Sequence, residues 1–149
     1  MLRTLFGKKQ TERLPNEAYV LAQGERDGLP VIAMINDAYK RYPFREDYPW
    51  HVEIEIEMAD LDEARLPTEA EAVVLNCLED DVEAEMRRFG AVHHIARQTW
   101  NGLRVLDYYV EDGPAIESLL AAVSNAGPPR SFKFNVERDD AWSHSAGFF

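Results

Sequence analysis

A chain of 149 residues, 46 % hydrophobic and 29 % charged, can bury one core of its own without disulfides or metals. Its single cysteine, Cys77, excludes an internal disulfide framework and suits a reducing compartment. The net charge of −11 disfavours nucleic acid, because an acidic surface repels phosphate backbones. The charge is uneven. Arg3, Lys8, Lys9 and Arg13 outweigh Glu12 over residues 1–14 (+3), so the other 135 residues carry −14.

In chain order, residues 1–15 read as a basic flexible tail, too short for a lipid-surface helix. The opening MLRTLFGKKQ has neither the apolar length nor the cleavage-like site of a secretion signal. No run approaches the ~20 apolar residues that span a bilayer. The expected setting is cytoplasmic, without a membrane partner. Residues 16–149 read as a single α+β domain. It opens with a hairpin over 17–35, whose strands AYVLAQGE and LPVIAMI flank Asp27-Gly28, a pair that takes the positive φ of a tight turn. Pro30 belongs at a strand end or edge. Asn36–Tyr42 predicts a helical turn, and the aromatic loop from Tyr42 to Trp50 should lie on the body.

His51–Met58 (HVEIEIEM) alternates strictly, so Val52, Ile54, Ile56 and Met58 should face a core while His51, Glu53, Glu55 and Glu57 face the other way. An acidic connector, Ala59–Leu66, leads to Pro67-Thr68-Glu69-Ala70-Glu71. There Thr68 should cap the amide of Glu71, and the Glu71 carboxylate should reach back to Thr68. Leu75, Leu78, Val82, Met86 and Phe89 make an apolar helical stripe, which Gly90 ends. AVHHIARQTW and LRVLDYYV follow around the turn pair Asn101-Gly102. A regular register pairs Ile95 with Tyr108 and leaves neither face cleanly apolar. Either a bulge shifts the register or both faces are partly covered, with the first hairpin as cover or as sheet extension. Asp112-Gly113-Pro114 opens a second helix with Ile116, Leu119, Leu120 and Val123 inward. SFKFNVER (131–138) is the last strand, and the aromatic tail 139–149 should dock through Trp142, Phe148 and Phe149. Strand, helix, hairpin, helix, strand over 51–138 predicts a ferredoxin-like β-α-β-β-α-β core, an antiparallel sheet with two helices on one face.

The chemistry is sparse. There is no Walker loop, GxGxxG, GxSxG, HExxH or CxxC, which lowers the expectation of catalysis without excluding sites built from distant residues. No catalytic residue, cofactor or metal is expected. Alternate residues of a strand lie ~7 Å apart, too far for His51, Glu53 and Glu55 to share an ion unaided. His51, Glu53, Glu55 and Glu57 suggest instead an acidic interaction surface, or more plainly a solvated strand face paired with Lys133 and with Arg97 or Arg104. His93 and His94, being adjacent in a strand, point to opposite faces. Cys77 reads as an inert core thiol, and Glu79, Asp80 and Asp81 as a solvated charge run.

Four stretches, GLPVIAMIN, LPTEAEAVVLNCLEDDVEAEM, NGLRVLDYYVED and RDDAWSHSAGF, together resemble a largely bacterial, uncharacterised family, domain of unknown function 695. The resemblance spans roughly residues 17–149 and carries no activity with it. It is also similar in layout to the regulator of ribonuclease activity B, an acidic ferredoxin-like inhibitor. Arg104, Tyr108 and Trp142 fall in the most family-like stretches and join the interaction-surface candidates. The expectation is a non-enzymatic binding or regulatory module that engages a basic protein, in the manner of a nuclease inhibitor or immunity protein. The competing readings are a small hydrolase or ligand-binding enzyme, with a cleft near His93 or His94, Arg104 and Tyr108, and a homodimeric structural module.

Overall fold

The computed structural model describes residues 13–149. The predicted tail falls largely outside them. Its last residues are docked: Arg13 pairs with Asp47 at 2.8 Å and its carbonyl accepts the Tyr42 hydroxyl. The described residues form strands β1 (Tyr19–Arg26), β2 (Leu29–Asn36), β3 (Trp50–Glu57), β4 (Val92–Trp100), β5 (Leu103–Val110) and β6 (Phe132–Arg138), with helices α1 (Glu69–Met86) and α2 (Gly113–Asn125). The strands make one sheet in the order β1-β2-β4-β5-β3-β6, and every neighbouring pair is antiparallel. The sheet therefore has six strands, not the four of a ferredoxin-like unit. The first hairpin extends it, because β2 pairs with β4 from Val31↔Trp100 to Ile35↔Ala96.

Each turn follows from its residues. Asp27 and Gly28, and again Asn101 and Gly102, all take positive φ, the backbone of the tight hairpin turn that matches strand twist. Thr68 accepts the Glu71 amide at 3.2 Å and Asp112 accepts that of Ala115 at 3.1 Å, capping the two helices. The Glu71 carboxylate does not return to Thr68. It accepts the amide of Ala59 and the guanidinium of Arg130 instead, locking the acidic connector and the approach to β6 onto α1.

The main core lies between sheet and helices. Val52, Ile54 and Ile56 meet Leu75, Leu78, Val82 and Met86 of α1, Ile116 and Leu120 of α2, and Leu106, Tyr108 and Phe132. Both helices thus cover one face. Phe89, predicted on the stripe, is exposed beyond the end of α1. A second, aromatic cluster covers one end of the opposite face: Tyr39, Tyr42, Tyr48, Ile95, Ala96, Tyr109 and Trp142. It explains the mixed alternation of β4. The register slips between His94 and Ala96, so the bulge and the second cover are both present, and His94 rather than Ile95 faces Tyr108.

Candidate functional site

The two clusters leave part of the sheet without a cover among the described residues. On β3, Glu53 and Glu55 are half-buried and Glu57 is exposed, while Val52, Ile54 and Ile56 between them are sealed. Cross-strand neighbours complete the face. Glu53 sits opposite Asp107 and Asn135, Glu55 opposite Val105 and Lys133, and Glu57 opposite Leu103. Half-exposed Leu103, Val105 and Trp100 form an apolar strip beside the carboxylates, with shallow grooves of about 250 and 150 Å³ on either side of Leu103. Burial, and then the neighbouring Asp107 carboxylate, raises the Glu53 carboxyl above its ordinary pKa.

The other candidates separate from this face. His51 shares it but is only 2 % exposed, with Nε2 on the Asp107 carboxylate at 2.9 Å. Trp142 lies on the same side, sealed in the aromatic cluster; it stacks on Tyr109 and donates its indole N–H to the carbonyls of Tyr48 and Arg45. Arg104 and Tyr108 point to the helix side and are 5 % and 0 % exposed. A contact surface cannot use side chains that water does not reach, so these four are buried groups. Alternation accounts for Arg104 and Tyr108, which share the parity of Leu106.

The buried polar groups form a network that the sequence reading missed. Glu79, expected in solvent, is 2 % exposed. Arg97 holds its carboxylate in a bidentate pair at 2.9–3.0 Å, Arg104 approaches at 3.3 Å while also donating to Asn76, and His94 lies 3.8 Å away. Burial lowers the pKa of His94, against the pull of Glu79, and also lowers that of Arg104. Arg97 and Arg104 therefore serve Glu79, not the glutamates of β3. Cys77, expected in the core, is exposed. His93 points the opposite way from His94, into the aromatic cluster, where Nδ1 meets the Tyr39 hydroxyl at 2.9 Å and burial brings its pKa down to about 4.

A cavity of about 370 Å³ opens between β1, the end of α1 and β4; His94, Glu83, Arg87, Tyr19, Tyr39 and Asn36 help line it. Tyr108 stacks on His94 at 4.6 Å, but neither Tyr108 nor Arg104 reaches the cavity wall. The cleft expected from His94, Arg104 and Tyr108 thus exists for His94 alone.

Fold and site together define a small mixed α/β protein with one helix-covered face and one partly open face that carries Glu53, Glu55 and Glu57. The chain belongs to a family of unknown function (DUF695), whose model matches residues 20–148. Neither the curated proteins nor the solved structures contain a match to it. No helix among the described residues is long and apolar enough to cross a membrane.

Proposed function

We propose that this protein is a cytoplasmic, non-enzymatic binding module that uses the open part of its sheet to engage a basic protein surface. The carrying observation is the row Glu53, Glu55 and Glu57 beside half-exposed Leu103, Val105 and Trp100, an apolar strip edged by carboxylates on a part of the sheet that neither α1 nor α2 covers. Apolar area supplies affinity at such a surface, and its charges supply steering and partner choice. The −14 carried outside the first 14 residues acts in the same sense, and a basic enzyme such as a nuclease is the kind of partner it fits. The exposed unpaired thiol of Cys77 is in keeping with a reducing compartment. Within the sheet we read β4-β5-β3-β6 and the two helices as a ferredoxin-like unit to which the first hairpin adds two strands.

The test is parallel capture from cell extract on the wild-type chain and on the triple variant Glu53→Gln, Glu55→Gln, Glu57→Gln, at low and high salt. The expected result is a basic protein that the wild type retains at low salt, releases at high salt, and that the variant fails to retain. Identical, salt-insensitive recovery on both baits would overturn the reading.

The cavity beside His94 favours a second reading, a small-molecule site in which the imidazole and the Arg87–Glu83 ion pair, 2.9 Å apart, would take a small polar ligand. Ligand-dependent stabilisation that is lost in Arg87→Ala, while Glu53→Gln retains it, would favour this reading over the first.

A further inference from the structure

Three chain segments meet at one end of the open face. His51 of β3 stands opposite Glu137 of β6 in the strand register. The short turn Ser143–Phe148 brings His144 onto His51, ring on ring, at 4.4 Å and 6°. That turn is held in place from below. Asp139 accepts the Tyr109 hydroxyl at 2.7 Å and the amides of Ser143 and His144 at 2.8 and 3.0 Å, and Trp142 stacks on Tyr109 at 4.0 Å. One ligand-type atom from each of His51, Glu137 and His144 lies within 4.8 Å of the other two.

From this arrangement we propose a binding site for a late first-row divalent metal ion of the zinc class, with His51 Nδ1, His144 and Glu137 as its protein ligands. The second observation behind it is His51 itself. Its Nε2 is taken by the buried Asp107 carboxylate at 2.9 Å, so a neutral ring that donates there presents its lone pair on Nδ1. Nδ1 is buried and has no hydrogen-bond partner among the described residues, an unusual state for a buried polar atom. A carboxylate on the far nitrogen of a histidine is the outer-shell arrangement that orients metal-ligating imidazoles. The exposed Glu137–His144 ion pair does not by itself account for either feature.

The donor set decides the metal. Two imidazoles and one carboxylate suit zinc, cobalt, nickel and copper, whereas magnesium and calcium require oxygen. Three protein ligands leave a fourth position for water. Imidazole lone pairs lie in the ring plane, so His144 must swing out of its stack, as an exposed side chain on a terminal turn can. Its nitrogen and the Glu137 oxygen, 2.5 Å apart, must open to the ~3.3 Å that ~2.0–2.1 Å bonds in a tetrahedral site demand.

The site is independent of the basic-partner reading, because the metal is probed alone. The untagged, metal-stripped chain is titrated with Co²⁺ and read by its visible absorption, with Zn²⁺ and then Mg²⁺ as competitors. The expected result is one equivalent bound, displaced by Zn²⁺ and not by Mg²⁺. His144→Ala and Glu137→Gln, both at exposed positions, each weaken binding at least tenfold, and Asp107→Asn weakens it roughly 10–100-fold. Absence of saturable one-equivalent binding, or unchanged affinity in both His144→Ala and Glu137→Gln, would overturn the proposal.

Discussion

Glu79 is the residue whose loss should be felt most. Its carboxylate is sealed under α1 and is the shared partner of Arg97 and Arg104, and Arg104 is itself 5 % exposed. Removing one partner of a buried pair strands the other charge away from water. Glu79→Ala is therefore expected to cost about 3–5 kcal/mol in urea unfolding. Asp80→Ala, one residue along on the exposed side, should stay within about 0.5 kcal/mol. The same helix carries Cys77 on its exposed side. Its thiol should react fully with a disulfide reagent in the native state, without denaturant; a thiol that reacts only on unfolding would place it in the core after all.

At the scale of elements, the start of α2 is the tightest junction. Gly113 lies under the indole of Trp50, and a Cβ there would fall inside the ring's van der Waals contact. Glycine is required by this close approach and not by its φ. Gly113→Ala should cost about 1–3 kcal/mol, the usual penalty of overpacking, even though alanine is the better helix former. Unfolding midpoints of Gly113→Ala and of Gly127→Ala separate the two causes. Gly127 has open space but φ +75°, so its variant reports backbone strain alone. At the other edge of the sheet, β1 is exposed along its length, with Leu21 62 % accessible. An edge with unpaired backbone groups and apolar side chains is prone to pair with a second copy. If it does, sedimentation should show a concentration-dependent dimer that Leu21→Lys abolishes.

For the molecule as a whole, acid is the condition that sets its buried groups against one another. Burial holds His93 at about 4, below its ordinary 6.5. The unfolded chain then binds the proton more readily, and stability is lost as pH falls from 6.5 through 4. The shift corresponds to ~2–3 kcal/mol by pH 4. His93→Gln should flatten that limb of the stability–pH curve. Glu71, held down to about 2 by the hydrogen bonds of Arg130 against the opposing effect of burial, acts lower. Its contribution is complete above its ordinary 4.5 and is lost between there and about 2, so Glu71→Gln should be less pH-dependent in that window. Glu53 and Glu83, raised by burial, oppose both effects. Urea unfolding at intervals from pH 7 to 3, for wild type and the two variants, checks each sign.

What the sequence determined by itself was every feature with a local cause. Alternation placed Val52, Ile54 and Ile56 inward, the Asp-Gly and Asn-Gly pairs made the turns, and Thr68 and Asp112 began the helices. Even the burial of Glu79 had a local signal, since Glu71, Leu75, Leu78, Glu79, Val82 and Met86 share one helical stripe; reading polarity ahead of position hid it. Tertiary structure alone decided that the first hairpin extends the sheet, that an aromatic cluster covers one end of the second face and seals Trp142, and that His144 meets His51. Those contacts join residues tens of positions apart through edges, a bulge and an irregular terminal turn, and no period in the chain encodes where such surfaces close.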